Sequence, residues 1–229
     1  MVTIIPRPAA PGSAEAIRRP RQKRSQQRFE AILDSAARLL ETQGPEDISI
    51  YTLAEEAGLS APSIYHFFPD AGQVFVALAE RYVREFVDLL DKPLPPGIAT
   101  WQHYVAARYG HGRDHYNAHA AARRLLLGSG LSATIRARDL ENDRVLAERS
   151  MAELSQLFEI APSADLIERF TELLVINDAI WTLSVHRHGT ITDAYEEQAR
   201  RAREAYARTF LPEYLPLRAP QGQRAEQAA

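Results

Sequence analysis

The sequence predicts an all-α fold, and three observations predict it. From Ser25 onward apolar residues recur at three- and four-residue spacing. No stretch sustains the two-residue alternation of a strand. Glycine and proline clusters punctuate the chain at helix-length intervals, and no repeat of solenoid length is present.

Each element has its own justification. Residues 1–20 are rich in Pro, Ala and Arg with no apolar period, which reads as a disordered arm. Phe29, Ile32, Leu33, Ala36 and Leu40 form one stripe of a first helix over 25–42, stopped by Gly44-Pro45. Ser49 is placed to cap a short second helix whose apolar face is Ile50, Leu53, Ala54 and Ala57, and Gly58 ends it. Ser60 opens a third short helix. Pro62 is acceptable there because first-turn N–H groups have no intrahelical partner, so the Ser60 hydroxyl is expected to cap Ser63. Asp70 caps a fourth helix running to about Leu90, and "DKPLPPG" breaks the chain at 91–97. Helical stretches follow at 98–109, weakened by "GHG" at 110–112, then at 114–127, 132–158, 163–188 and 192–211.

Composition narrows the chemistry. With no cysteine, disulfides, thiolate metal sites and cysteine nucleophiles are excluded. No apolar run approaches the ~18–20 residues of a membrane span, and Pro6 and Pro8 interrupt any signal-peptide core, so a cytoplasmic protein without a membrane partner is expected. Net charge is −3, but Arg7, Arg18, Arg19, Arg21, Lys23, Arg24 and Arg28 stand against Glu15 alone in the first 28 residues. A basic arm on an acidic body suggests a polyanion at one end, with Arg24 and Arg28 as candidate contacts; a solvated tail is the plain alternative.

Two short helices joined by a glycine turn and braced by a third make a helix-turn-helix, whose reading helix fits the DNA major groove. Ile64 and Phe68 are four apart and are expected to face inward against Leu53 and Phe29. Ala61, Pro62, Tyr65 and His66 then face outward, where a core has no need of an aromatic. The stretch "SIYTLAEEAGLSAPSIYHFFPDAGQVF", residues 49–75, resembles the DNA-binding segment of the TetR family of bacterial transcription regulators. The shared frame is Ser49, Leu53-Ala54, Ala57-Gly58, Ser60, Ile64-Tyr65, Phe68 and Val74. The resemblance implies phosphate contacts at Ser49 and Ser60, base reading by Ala61, Pro62 and Ser63, and backbone or sugar contacts by Tyr65 and His66. Phe67 replaces the usual histidine or tyrosine, and Ala71 the usual lysine, so two phosphate contacts are missing from the pattern.

The resemblance also implies a dimeric bundle built from the last two helices and an effector cavity among the earlier ones. Within 163–188 one line holds Leu166, Phe170, Leu173, Asn177 and Ile180, and another Ile167, Leu174, Asp178, Trp181 and Val185. A helix apolar on more than one side is buried on more than one side. Asn177 and Asp178 interrupt that face; a bound effector, a salt bridge to an arginine, or exposure at the dimer edge would each account for them. Tyr104, Arg108, Tyr116, Arg138, Asn142 and Trp181 complete the candidate effector set. His111, His115 and His119 share a helical face at metal-ligand spacing, but glycines on both sides of His111 favour packed or exposed histidines over a metal. His186 and His188 before Gly189 read as a basic helix end.

The expected organisation is a disordered basic arm (1–24), a DNA-binding domain (25–73), an effector-binding and dimerisation domain (74–215) and a disordered tail (216–229). The expected function is a homodimeric repressor released from a double-stranded DNA operator by a small-molecule effector, with no cofactor. An enzyme would need a nucleophile–base arrangement or a phosphate loop, and the sequence offers neither. A helical adaptor that has lost DNA binding is the other competing class, motivated by Ala71.

Overall fold

Ser49 begins the part of the chain that fixes the architecture: its Oγ accepts the Thr52 N–H at 3.1 Å and starts a helix. The structure, a computed structural model, describes residues 19–128 and 132–218. Their helices are α1 (Lys23–Thr42), α2 (Ile50–Ala57), α3 (Ala61–Tyr65), α4 (Ala71–Leu89), α5 (Trp101–Ala118), α6 (Ala120–Leu126), α7 (Ala133–Leu157), α8 (Ala164–His188) and α9 (Asp193–Ala207). A short 3-10 turn covers Pro45–Asp47. Among the described residues there is no β-strand, only an isolated bridge between Phe158 and Leu217. None of the described helices is long and apolar enough to cross a membrane.

Side-chain caps mark most of the helix starts. Asp70 Oδ1 accepts the Gln73 N–H at 2.9 Å. Thr100, Ser132, Ser163 and Thr192 each cap their helix in the same way. Such a cap contributes about 1 kcal/mol. Gly58 (φ 63°) and Gly189 (φ 72°) close α2 and α8 in the left-handed region, where a Cβ would be strained.

Ser60 departs from expectation. Its hydroxyl pairs with the Ser63 hydroxyl at 2.8 Å, while the Ser63 N–H donates to the Ser60 carbonyl at 2.9 Å. That tight first turn commits the N–H to the backbone and leaves the side chain without it.

Two groups of apolar side chains hold the molecule together. In the first, Phe29, Ile32, Leu33, Leu53, Ile64 and Phe68 are at most 1% exposed, and the Phe29 and Phe68 rings lie 5.0 Å apart. At about 1.5–3 kcal/mol per fully buried large apolar side chain, they fix the position of α3. This core continues through Val74 and Leu78 of α4 to Leu125 and Leu126 of α6. The second gathers Trp101, Met151, Leu154, Phe158, Phe170 and Leu211.

Three boundaries differ from expectation. α1 takes in Lys23 and Arg24, which had been assigned to the arm; residues 1–18 lie outside the described residues. α5 runs through Gly110-His111-Gly112 without a break and ends at His119 instead. The reason is Arg123, whose Nη1 donates to the Tyr116 and Asn117 carbonyls at 2.6 and 2.8 Å and so satisfies the exposed end of α5. Residues 216–218 are not tail. The Arg218 N–H donates to the Leu157 carbonyl and the Glu159 N–H to the Pro216 carbonyl, and residues from 219 lie outside the described residues.

Candidate nucleic-acid interface and buried cavity

The helix-turn-helix presents two aromatic rings to solvent. Ile64 is fully buried, so its neighbour Tyr65, about 100° round the helix, points out and is 49% exposed. Tyr51, on the first turn of α2, is 71% exposed and was not among the residues singled out from the sequence. Pro62, His66, Ser49, Ser60, Arg24 and Arg28 are also exposed. Ala61 and Ser63 are half-buried; Ala61 leans on the core rather than facing fully outward. Phe67 packs edge-on against Phe29, with centroids 6.1 Å apart, which explains an aromatic without a polar tip at that position.

A cavity of about 90 Å³ lies among α4, α5, α7 and α8. Phe86 and Leu89 of α4, Tyr116 of α5 and Trp181 of α8 supply apolar wall. Gly112 lines it as well, and a Cβ there would meet the Trp181 ring in ordinary van der Waals contact at 3.7 Å.

The polar wall is acidic. Asp139 and Asp143 from α7 and Asp178 from α8 are buried, and each offers a carboxylate oxygen within 4.8 Å of the others. Arg136 donates to Asp139 at 2.8 Å, and the Asn177 amide donates to Asp178 at 3.2 Å. Asp143 Oδ2 is buried with no hydrogen-bond partner among the described residues. Burial pushes all three carboxyls above the usual carboxylate range; for Asp143, raised to about 9, the charges of Asp178 and Asp139 add to it. Burial likewise raises the Tyr109 and Tyr116 hydroxyls, keeping them neutral.

Arg203 of α9 is fully buried behind this wall. It donates to the Asn177 carbonyl oxygen and, at 2.7 Å, to Glu196, which also accepts the Trp181 indole N–H at 2.8 Å.

Seven of the eight candidate effector residues line the cavity: Tyr104, Arg108, Tyr116, Asn142, Asn177, Asp178 and Trp181. The polar ends of Tyr104 and Arg108 are already engaged with Glu153. Arg138 lies elsewhere. It pairs with Glu80 at 3.5 Å and Glu141 at 2.9 Å, because its neighbour Asp139 takes the inward position one helical step away. Asp139 and Asp143 were missed although α7 carried a signal. Ile135, Asp139, Asn142, Leu146, Ala147, Met151 and Leu154 continue one stripe at helical spacing, with polar residues where apolar ones belong.

The histidine series divides. His115 and His119 meet Glu85 of α4, with three ligand atoms within 4.8 Å of one another, while His111 stands apart. His119 Nδ1 lies 2.9 Å from the His115 carbonyl oxygen, which fixes the proton there and leaves Nε2 as the acceptor.

Comparison with known proteins agrees with this geometry. Residues 32–78 match the profile of bacterial regulatory proteins of the tetR family. A 77-residue stretch is 38% identical to the HTH-type transcriptional regulator EthR of Mycolicibacterium smegmatis, covering 31% of this chain and 36% of that one. The chain thus spans about a third of that relative's length. A TetR-family transcriptional regulator from Streptomyces coelicolor shares the fold, with a TM-score of 0.61 at 24% identity over 81% of this chain and 98% of that one. SmeT, the repressor of the Stenotrophomonas maltophilia multidrug efflux pump SmeDEF, superposes with a TM-score of 0.57 at 18% identity over 84% and 97% of the two chains. SmeT has also been solved in complex with triclosan.

Proposed function

The chain is a member of the TetR family of bacterial regulatory proteins, and from that premise we propose that it is a homodimeric repressor whose hold on operator DNA is controlled by a small molecule in the α4–α8 cavity. One observation carries the reading: a single helix serves both sites. Val74 and Phe75, at the start of α4, belong to the core that seats α3, while Phe86 and Leu89, near its end, line the cavity. A 19-residue helix is about 28 Å long, so a small tilt at the cavity moves the reading head by ångströms. An effector that prefers the tilted arrangement draws the population away from the DNA-competent one.

The proposed DNA contacts are Arg24, Arg28, Ser49, Ser60, Ala61, Pro62, Ser63, Tyr65 and His66, to which the exposure of Tyr51 adds a tenth. Ser49 and Tyr51 open α2, and Tyr65 closes α3, so both aromatics flank the reading helix and suit the DNA backbone. The proposed effector residues are the seven on the cavity wall together with Asp139 and Asp143. Dimerisation is assigned to α8 and α9. Leu183 is 40% exposed, and Val175 and Ile176 are half-buried on the same outward side of α8, an apolar strip suited to a second copy. That SmeT is a repressor and binds triclosan is consistent with this reading.

The test is genomic footprinting with the purified full-length protein, alongside light scattering. The expected result is a two-fold symmetric protected site with half-sites about one DNA turn apart, bound by a species of twice the 25.7 kDa chain mass. A monomer, or no protected sequence, would sink the proposal.

A further inference from the structure

The cavity wall holds more carboxyl groups than the described residues supply with donors. Asp139, Asp143 and Asp178 are 3%, 3% and 9% exposed. Among the described residues one guanidinium, that of Arg136, reaches one of them, Asp139. Arg203, the buried cation nearby, is turned to Asn177, Glu196 and the face of the Tyr109 ring. Asp178 receives, among the described residues, only the neutral amide of Asn177. Asp143 Oδ2 receives nothing from the described residues and is closed to solvent, in a wall that faces the cavity. A buried acceptor without a donor is retained when something supplies the donor.

The rest of the lining says what kind of donor. Phe86, Tyr116 and Trp181 bring aromatic rings, and Leu89, Leu146 and Leu174 bring aliphatic surface. We propose that the cavity is built for an organic cation, a protonated amine on a small aryl or alkyl body. Its ammonium sits among Asp139, Asp143 and Asp178, and its apolar part lies against Phe86, Tyr116 and Trp181. The N–H groups give Asp143 Oδ2 and Asp178 charge-assisted hydrogen bonds, the strong kind. The aromatic rings suit both the apolar body and the positive charge. A bare divalent ion fits less well. It needs six or more oxygen ligands or several retained waters, and the Phe86, Leu146 and Trp181 surfaces offer none. The inference rests on reading the cavity as the effector site, and it adds the chemical class of the effector.

Calorimetry on the full-length protein tests it with three probes: phenethylamine, its neutral isostere phenethyl alcohol, and Mg²⁺ alone. Shorter- and longer-chain arylalkyl amines extend the first arm. The amine is expected to bind about 10- to 100-fold more tightly than the alcohol, the range for a hydrogen bond to a charged group. D143N and D178N keep the side-chain volume and should each reduce that preference, with melting temperatures no lower than the parent's. Equal binding of amine and alcohol, failure of every amine in the series, or tighter binding of Mg²⁺ than of any amine would overturn the inference. Operator occupancy is measured in parallel to separate the two readings. If the amine binds with an aspartate-dependent preference but leaves DNA occupancy unchanged, the cation site stands and the repressor reading falls. If a neutral compound binds and releases DNA, the repressor reading stands and the cation site falls.

Discussion

The Arg203 guanidinium carbon lies 4.2 Å from the centroid of the Tyr109 ring, a buried cation stacked on an aromatic face behind the cavity wall. Its Nη1 also donates to Asn177 Oδ1, so Asn177 is a support for Arg203 as well as a cavity residue. Asn177→Leu removes that acceptor and the amide that donates to Asp178. We expect a loss of about 1–3 kcal/mol, the cost of orphaning a buried polar group, read as a lower urea midpoint at unchanged slope. An unchanged midpoint would mean that Arg203 is held by Glu196 alone.

Asp143, with Asp139 and Asp178 shifted in the same direction, contributes to the pH dependence of the unliganded protein. Its folded-state carboxyl is raised to about 9, so the native state binds more protons than the unfolded chain above the ordinary carboxylate range. The associated stability is complete at acid pH and is lost as pH rises through neutrality towards 9. The groups that face it are Asp139 and Arg136 on its own helix, Asp178 on α8, and the neutral Tyr109 and Tyr116 hydroxyls on α5. Asp143→Asn should therefore flatten the decline and gain on the order of 1–3 kcal/mol at pH 8 and above, measured by denaturation across pH. A variant that tracks the parent at every pH would show that Asp143 titrates normally.

At the DNA-reading head, Tyr65→Ala and Tyr51→Ala should each weaken specific operator binding about tenfold or more, through lost backbone contacts. Both side chains are exposed and the core beneath them is carried by Ile64 and Leu53, so stability should stay within about 0.5 kcal/mol. Gel-shift titrations paired with melting curves give both quantities. A fall in stability without a fall in affinity would move the interface elsewhere.

Ala71 is the first residue of α4, half-buried at a helix N-terminus. A lysine there opposes the helix dipole by about 0.3–1 kcal/mol, so only a nearby phosphate would make it favourable. Ala71→Lys should tighten DNA binding and steepen the log–log salt dependence by about 0.9, with no gain in protein stability. A flat slope would mean that α4 does not approach the DNA backbone.

Gly110 sits inside α5, and a Cβ built there meets nothing within 4 Å. Gly110→Ala should stabilise the protein by about 0.5–1 kcal/mol, seen as a higher melting temperature with operator affinity unchanged. A destabilised variant would mean that α5 bends at 110–112 in solution.

What was legible in the sequence follows the range of the forces involved. The α1–α4 frame was readable because stripes such as Ile64 and Phe68, and caps such as Ser49 and Asp70, are local signals. The end of α5 was not, because Gly110 and Gly112 carry a local penalty that the packing of Tyr109 and Tyr116 on Trp181 outweighs. Arg123, which stabilises the break at His119, acts through backbone carbonyls six and seven residues away. The cavity was read in part. Asn177 and Asp178 stand out against an apolar helix, whereas Asp139 and Asp143 sit in a strongly charged one, where a buried carboxylate looks like an exposed one. Only the partner helix distinguishes them. Nothing adjacent in sequence announces Arg203 either, since its partners Asn177 and Glu196 lie on α8 and at the start of α9.

The Arg123 side chain has a consequence for how this protein can diverge. It clasps the carbonyls of Tyr116, Asn117 and Gly189 and so joins the end of α5 to the end of α8. A carbonyl is the same whatever residue carries it, so this joint reads no side chain at its three acceptor positions. What holds Gly189 to glycine is its positive φ, and what holds Asn117 is its own bonding to Thr190 and Ile191. Arg123, by contrast, cannot be replaced by a shorter or singly pronged cation. Among relatives that keep this arrangement, the joint would register as one invariant arginine with no co-varying partner. Methods that infer contacts from paired substitutions would pass over it.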